Sequence, residues 1–510
     1  MSDTLMIRGE LTLAEVERVA RGAGRVQVRL DDVARSRIEA AREVVERIVR
    51  EERVVYGITT GFGALSDVVI PPGRIRELQL NLIRSHAGGV GEPLDEVETR
   101  AIMLLRANVL SLGHSGVRPC IVELLLECLN RGVHPIIPSR GSVGASGDLA
   151  PLSHLALVLL GEGRAVLAGE VMDGASALER TGLEPVVLEA KEGLALNNGT
   201  QVHCGIGILA LLRAERVLET LEVSGAMSLE GLRGTPDAFA AALQRVRPQR
   251  GQQISAARLR TLLEDSAIRE SHRHGDPRVQ DAYSLRCMPQ VHGAARQGLA
   301  FVRDVLEVEA NSATDNPLIF PDEDRVISGG NFHGQPAAQA LDLLCIALAD
   351  LGSICERRIA RLVDPALSGL PAFLTRDAGV NSGLMIAQIA AAALVADLRL
   401  RAHPASVDSV PTDANKEDHV SMGVAAALKA REAVALLETL AGLELLCAAQ
   451  ALEFLKPLAP GRGVAVAYEL VRERVAPLEQ DRVLASDMMA LEALVREGAF
   501  ADIWSRFGDA

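Results

Sequence analysis

The sequence has few aromatic residues, no basic run and no long apolar stretch near its N-terminus. Aromatic residues make up 3% of the 510 positions although 48% are hydrophobic, so aliphatic side chains that favour helices must fill the core. The net charge is −14 and no basic stripe is present, which argues against binding to the phosphate backbone of nucleic acid. These deficits predict a mostly α protein without a nucleic acid partner.

Cysteine pairs at metal-binding spacing are also lacking. The seven cysteines are widely spaced, which is typical of reduced thiols, most of them in the core, rather than of disulfides or zinc ligands. The acidic N-terminal segment is interrupted by polar residues, and the apolar stretch 386–396 is too short to cross a bilayer. We therefore expect a cytoplasmic protein that has no bound metal and does not enter a membrane.

Helices are predicted where apolar residues recur at intervals of three and four. Three amphipathic segments of this kind occupy 32–51, 102–112 and 119–131. Two longer segments, 335–364 and 420–456, are apolar around much of their circumference, and the second would span roughly 50 Å. Such helices need partners on several sides, which predicts a long central helix bundle that also supplies subunit contacts.

Two segments interrupt the helical pattern. The range 133–147 is dense in Gly, Ser and Pro, which is typical of an irregular loop. An apolar helix follows after Asp148. The range 164–172 predicts a short β-hairpin insertion. We divide the chain into an N-terminal α-rich domain, 1–115, and a helical bundle, 116–510.

Ser146 lies in the Gly-rich loop, directly before a helix. A serine hydrolase would carry Gly-x-Ser-x-Gly on a strand-to-helix elbow, but here Gly147 follows Ser146 at once. The three residues suit a different reaction, in which the amide nitrogen of Gly147 attacks the carbonyl carbon of Ala145 and loss of water leaves a methylidene. Taken alone, the tripeptide is more often a helix-entry loop with Ser146 or Asp148 as the N-cap.

The run GSVGASGDLAPLSHLAL, at 141–157, decides between these alternatives. It resembles the signature of the histidine and aromatic amino acid ammonia-lyase family, in which the triad forms a 4-methylidene-imidazol-5-one group autocatalytically. The resemblance extends over 56–419 in separate blocks. It implies a central helix bundle of the aspartase/fumarase-like type, a smaller N-terminal domain and no external cofactor.

Two of the blocks lie in the N-terminal part of the chain. YGITTGFG, at 56–63, matches no nucleotide-binding pattern and by itself would be a surface turn. The resemblance implies that Tyr56 takes the β-proton of the substrate, a role that requires a depressed pKa. A lone histidine such as His86 is more often a core or capping residue, but it follows Ser85, and histidine enzymes of the family carry Ser-His where the others carry a hydrophobic residue.

Three further blocks supply residues that the resemblance places in the site. Asn198, in LALNNGTQ, would hydrogen-bond the prosthetic ring or the substrate amine, although Asn-Gly also fits a helix cap. In QDAYSLRCMPQ, Arg286 offers a planar guanidinium to the substrate carboxylate, and Gln280 and Tyr283 accompany it. Phe332, in GGNFHG, resembles the family phenylalanine beside the prosthetic group.

Glu417, in TDANKEDHVSM, bears on the substrate. The adjacent Asp418 and His419 suggest a metal site, but neighbouring residues at a helix start point in different directions and no second cluster of ligands accompanies them. A carboxylate suits an imidazole, whose ring N–H can donate to it, and the phenylalanine and tyrosine relatives generally carry Gln there.

The resemblance implies deamination of L-histidine to trans-urocanate and ammonia, the first step of histidine degradation to glutamate. It also implies a homotetramer whose subunits share active sites. The chain departs from the family pattern at Thr59, Asn197 and Lys416, and the last two adjoin site residues. The alternatives are a tyrosine or phenylalanine ammonia-lyase or aminomutase of the same fold, and a catalytically inactive helical scaffold.

Overall fold

The computed structural model describes residues 3–507, with 61% helix and 8% strand, which confirms the mostly α prediction. Internal contacts divide the chain into two compact units. Unit 1 comprises Met1–Leu209, Arg303–Asp342 and Pro404–Leu428, and unit 2 comprises Ala210–Val302, Leu343–His403 and Lys429–Ala510. This division differs from the predicted boundary at residue 115, which stays a prediction.

The strands of unit 1 form four small sheets. They are β1 (Asp3–Ile7), β2 (Val26–Leu30), β3 (Val90–Pro93), β4 (His134–Pro135), β5 (Pro138–Arg140), β6 (Arg164–Leu167), β7 (Glu170–Asp173), β8 (Leu318–Phe320) and β9 (Arg325–Ile327). β1 and β2 pair in parallel, and the other pairs are antiparallel: β3 with β5, β4 and β7 with β6, and β8 with β9. The predicted hairpin is present as β6 and β7.

The segment predicted as an irregular loop contains the two short strands β4 and β5. Both include a proline, which cannot continue a helix, so the backbone there is extended and its remaining polar groups pair with nearby strands. The rest of this segment, before the helix that follows Asp148, forms no regular element.

Eight α-helices among the described residues lie wholly in unit 1. They are α1 (Leu13–Arg21), α2 (Asp32–Arg50), α3 (Ile75–His86), α4 (Glu96–Ser111), α5 (Pro119–Asn130), α6 (Leu149–Leu159), α7 (Gly174–Arg180) and α8 (Glu192–Asn197). The three predicted amphipathic helices correspond to α2, α4 and α5. α2 begins after the N-cap Asp31, whose side chain accepts from two backbone N–H groups, and it buries the predicted apolar face.

Four long helices follow, with residues in both units. They are α9 (Gln201–Gly231), α14 (Met288–Ala310), α15 (Gln335–Val363) and α18 (Gly423–Glu453). The two long segments predicted from composition are therefore confirmed as α15 and α18. By length and composition alone α15 could cross a membrane, but 67% of its most apolar window is buried, as in the core helix of a bundle.

Unit 2 also has eight helices of its own. They are α10 (Ala241–Val246), α11 (Arg250–Leu262), α12 (Ala267–Ser271), α13 (Tyr283–Arg286), α16 (Pro365–Ser368), α17 (Met385–Arg401), α19 (Arg462–Arg474) and α20 (Leu484–Glu497). Its core contains a fully buried ion pair, in which Arg358 donates to both carboxylate oxygens of Glu444, at 2.5 and 2.8 Å.

Candidate active site

Most of the predicted site residues line a cavity of about 880 Å3 in unit 1. The predicted residues that line it are Tyr56, His86, Ala145, Ser146, Asn198, Phe332 and Glu417. Gly147 follows Ser146 directly and is buried. Gln280, Tyr283 and Arg286 belong to unit 2 and do not line this cavity.

The triad occupies a tight turn. Ser146 has a left-handed backbone, with φ 51°, and so do its neighbours Gly144 and Gly147, at 78° and 75°. For a serine this conformation costs roughly 1–3 kcal/mol and persists only where the surroundings impose it. A Cβ at position 147 would collide with the carbonyl group of Gly199. The turn thus meets the requirement for small residues and close backbone approach that ring closure imposes.

Hydrogen bonds hold both sides of this turn. On one side the backbone N–H of Met422 donates to the carbonyl oxygen of Val143 at 2.8 Å. On the other side the N–H of Asp148 donates to the carbonyl oxygen of Gly199 at 2.7 Å. The triad is therefore anchored to two distant chain segments.

The side chain of Asp148 also holds the turn in place. It precedes α6 without making a capping bond, and it accepts instead from the N–H groups of Val202 and His203, at 2.8 and 3.0 Å. His203 Nδ1 lies 2.9 Å from the other oxygen, and both side chains are fully buried. Burial opposes a charged imidazole, but the charge of Asp148, its hydrogen bond and the charge of Glu309 together raise the pKa of His203.

Glu417 lies directly against the triad. Ser146 Oγ donates to its Oε1 at 3.2 Å, and Thr412 Oγ1 donates to its Oε2 at 2.8 Å. The residues between, Asp413 to Asn415, have φ values of 47°, 52° and 65°, a run of left-handed residues that returns the chain toward Thr412. A strained turn therefore presents the carboxylate to the cavity.

Tyr56 accepts a long hydrogen bond, 3.4 Å, from the N–H of Gly63. Burial raises the pKa of its phenol, and the carboxylates of Asp413, Glu417 and Asp315 raise it further, whereas the Gly63 N–H lowers it. The sequence argument required a depressed pKa, and in the single chain the shift runs the other way. The reason is that burial and three carboxylates outweigh one weak donor.

His86 ends α3 and lines the cavity. Its Nδ1 lies 2.9 Å from the carbonyl oxygen of Leu82, an atom that can only accept, so this arrangement places the proton of a neutral ring on Nδ1. Nε2 then carries a lone pair. His86 therefore offers an acceptor to a ligand in the cavity.

Asn198 follows the last residue of α8, and its side chain makes no helix-capping bond. Its Nδ2 donates to Asp315 Oδ1 at 3.1 Å and to the carbonyl oxygen of Asn316 at 3.0 Å. Its Oδ1 is buried and has no partner among residues 3–507. Asp315 in turn accepts from Lys191 Nζ at 2.7 Å, and Arg106 donates to the Asn198 carbonyl oxygen at 3.0 Å.

Of the site residues predicted in unit 2, Gln280 and Tyr283 are exposed and Arg286 is half-buried. The Arg286 guanidinium stacks on the Tyr283 ring, 4.4 Å from the ring centre, and Tyr283 is 70% exposed. These side chains remain available to a ligand or to another molecule.

Lys191, Asp315, Asp413 and Arg106 surround the predicted site residues, and sequence reasoning did not find them. Lys191 and Asp315 are 124 positions apart, and no periodicity links them. The sequence around Lys191 gave no signal either, because Glu189 and Glu192 flank it as in an ordinary exposed charged segment, and lysine is almost never fully buried unless it is paired. For metals, residues 3–507 contain no group of three or more His, Cys, Asp or Glu side chains that could hold an ion.

Comparisons with known proteins agree with this geometry. Residues 11–473 match the model of a family described as aromatic amino acid lyase. A histidine ammonia-lyase from Stigmatella aurantiaca is 55% identical over 488 residues, covering 96% of this chain and 95% of the relative.

Two solved structures extend the comparison. The crystal structure of histidine ammonia-lyase from Trypanosoma cruzi has a TM-score of 0.92 and 44% identity, covering 99% of this chain and 95% of that one. A tyrosine aminomutase from Streptomyces globisporus has a TM-score of 0.93 and 38% identity, with 99% of both chains covered.

Proposed function

This chain belongs to the aromatic amino acid lyase family, and we propose that it converts L-histidine to trans-urocanate and ammonia. It is an ammonia-lyase, and this non-oxidative deamination is the first step of histidine degradation to glutamate. The observation that carries the choice of substrate is the Glu417 carboxylate, which lines the cavity 3.2 Å from the Ser146 hydroxyl. A carboxylate can accept the N–H of an imidazole but finds no such donor on a phenyl ring.

We propose that Ala145, Ser146 and Gly147 cyclise to 4-methylidene-imidazol-5-one. Once formed, this group supplies an electrophile for the substrate, so that no external cofactor is needed. Gly147 N would bond to the Ala145 carbonyl carbon with loss of one water, and Ser146 would lose the second. The left-handed turn and the requirement for glycine at position 147 support this assignment. Phe332 lines the same cavity and would pack beside the ring.

His86 and Glu417 would recognise the imidazole. Each presents an acceptor to the cavity, His86 through Nε2 and Glu417 through its carboxylate. A protonated imidazole has two N–H donors and can satisfy both acceptors. A phenol has a single O–H donor and can satisfy only one, so the pair favours an imidazolium ring over the ring of tyrosine.

Tyr56 would remove the β-proton of the substrate. Its hydroxyl lies in the cavity and accepts from the Gly63 N–H, a bond that stabilises a phenolate. Because the pKa of Tyr56 is raised, the fraction of this base in its active form increases with pH. We therefore expect the rate to rise toward alkaline pH.

Arg286 would bind the substrate carboxylate in the cavity of another copy of the chain, where Tyr283 would be a catalytic residue and Gln280 would contact the substrate. We propose a homotetramer whose subunits share active sites. The exposure of Tyr283 supports this, and so does α17, where Ile386, Ile389 and Leu400 are all at least 51% exposed. Apolar side chains grouped on one helix are typical of subunit contacts.

A cytoplasmic location is the last part of the proposal. All seven cysteines are free, and five of them are buried. Reduced thiols of this kind are typical of a reducing compartment.

The proposal is tested by urocanate formation from L-histidine, with the intact mass of the chain recorded in parallel. Wild type should produce urocanate and weigh two water molecules less than its sequence mass. Ser146→Ala should do neither. A chain of full mass without activity on any amino acid would favour the scaffold alternative, and a preference for tyrosine or phenylalanine would favour the other lyases or an aminomutase.

Subunit sharing is tested by mixing two inactive variants within one tetramer. Ser146→Ala and Arg286→Ala affect different residue sets, so mixed tetramers should regain activity if the sets meet between chains. Ser146→Ala mixed with Tyr56→Phe is the control that should stay inactive, because both residues line one cavity. Mixed tetramers of the first kind that stay inactive would contradict shared sites.

A further inference from the structure

Lys191 and Asp315 form a buried ion pair beside the cavity that the proposed mechanism does not use. Lys191 Nζ donates to Asp315 Oδ2 at 2.7 Å, and neither side chain is exposed. Moving two charges out of water often costs as much as their attraction returns, so such a pair is weak support for a fold by itself. A role in positioning other groups is the natural alternative.

The second oxygen of Asp315 shows which group is positioned. Asp315 Oδ1 and the carbonyl oxygen of Asn316 both accept from Asn198 Nδ2, at 3.1 and 3.0 Å. Neither oxygen can donate, so the amide nitrogen must face them and Asn198 Oδ1 must face away. Asn198 lines the cavity, and its Oδ1 is buried without a partner among the described residues.

The Asp315 carboxylate and the Asn316 carbonyl oxygen together fix this orientation, and the carboxylate is the partner that a substitution can change. Both carboxylate oxygens accept, Oδ2 from Lys191 and Oδ1 from Asn198. A neutral amide at position 315 would turn its oxygen toward the lysine and its NH2 group toward Asn198. The Asn198 side chain would then reverse and present a donor to the cavity.

In the proposed reaction, one group is suited to donate a hydrogen bond to Asn198 Oδ1. In the ring built from Ala145, Ser146 and Gly147, the Gly147 nitrogen carries no hydrogen and the Ser146 nitrogen becomes an imine. The ring therefore offers no N–H to Asn198, whereas the α-ammonium group of an amino acid offers three. A buried acceptor left without a donor is costly, which favours ligands that carry the ammonium group.

We propose that the Lys191–Asp315 ion pair is a positioning pair that orients the Asn198 amide so that its oxygen accepts from the substrate ammonium group. This rests on the proposed function, because it requires an amino acid in the cavity. The pair touches no substrate itself and acts through Asn198.

The test compares two ligands that differ only in the amino group. In the full-length Ser146→Ala chain, which cannot turn over, calorimetry measures the affinities of L-histidine and 3-(imidazol-4-yl)propionate. Asp315→Asn should reduce the preference for histidine by about tenfold, the usual value of one hydrogen bond to a charged group. Affinity for the ligand without the amino group should stay within about twofold.

Two controls separate positioning from general damage. Glu444→Gln breaks the equally buried ion pair of unit 2 and should leave the preference unchanged. Lys191→Arg keeps the positive charge and should retain most of the preference. If Asp315→Asn does not fold, the double variant Lys191→Met with Asp315→Leu removes both charges together with the acceptor, and the same tenfold loss is expected.

If Asp315→Asn weakens the binding of both ligands equally, or leaves the preference for histidine unchanged, the positioning role is wrong. Failure of the proposed function is seen separately, in the substrate that wild type deaminates. If that substrate is L-tyrosine, the ligands become L-tyrosine and 3-(4-hydroxyphenyl)propionate. The tenfold loss is then expected for the tyrosine pair, and its absence again overturns the role.

Discussion

The ion pairs Lys191–Asp315 in unit 1 and Arg358–Glu444 in unit 2 are equally buried but differ in their surroundings. Around Glu444, the further partners are the hydroxyls of Ser224 and Ser228 and the thiol of Cys355, all on long helices. Around Asp315, the further partners are an amide side chain just after α8 and a backbone N–H in a loop.

This difference shows what a buried charge does in each unit. A helix satisfies its own backbone and is held by packing, so the pair in unit 2 adds cross-links between elements that are already formed. Loop segments have no such ladder of hydrogen bonds and depend on side chains for their conformation. We therefore expect the Lys191–Asp315 pair to act on the site and the Arg358–Glu444 pair to act on the stability of the fold.

The largest expected effect would separate activity from stability in unit 1. Tyr56→Phe should lower kcat by about 10²–10⁴-fold, because it removes the proposed base. Its hydroxyl accepts only one long bond, so the melting temperature should hardly change. Steady-state kinetics and thermal unfolding measure the two, and near-normal kcat would exclude Tyr56 as the base.

In unit 2 we expect a substitution to lower stability without changing activity. Glu444→Gln leaves Arg358 buried without its counter-ion and should lower the free energy of unfolding by about 3–5 kcal/mol, as measured by denaturant titration. The folded fraction should keep wild-type kcat and KM. A changed KM with unchanged stability would break the distinction between the units.

A smaller effect would sharpen the assignment of Glu417. Glu417→Gln should reduce the kcat/KM ratio of histidine over tyrosine by about tenfold, since a neutral amide accepts an imidazole N–H less strongly. Competition assays with both amino acids measure this ratio. Lys416→Gln, next to it and also lining the cavity, is the matched control and should change the ratio little.

The smallest effect concerns the pKa of Tyr56. Asp413→Asn removes one of the negative charges that raise this pKa but keeps an oxygen to accept from the Ala64 N–H. The phenol should then ionise more readily, and the rising limb of the kcat/KM profile should move to lower pH. A limb that stays in place or moves to higher pH would contradict the electrostatic influence of Asp413.

Periodicity and composition predicted six of the helices, whereas others, including the long helices α9 and α14, were not predicted. α2, α15 and α18 follow from apolar spacing and composition, and α5 also from Pro119 and Gly132 at its ends, because these signals act within one or two turns. The strands β4 and β5 were missed, since each has two or three residues and depends on a partner strand elsewhere in the chain.

In the site, motif resemblance supplied the residue identities but not their electrostatics. The pKa of Tyr56 shifts upward instead of downward because the fold buries the phenol and because Asp413, Glu417 and Asp315, from distant segments, add negative charge near it. The orientation of Asn198 depends likewise on Asp315, which is 117 positions away.

The sequence by itself determined the helical class, the family and the three residues able to cyclise, because each is written in local spacing or in a contiguous motif. Only the tertiary structure decided which cavity the site residues share, which atom of Asn198 faces it, and that Gln280, Tyr283 and Arg286 do not line it. These properties arise from contacts between residues about a hundred or more positions apart, and no local pattern encodes such contacts.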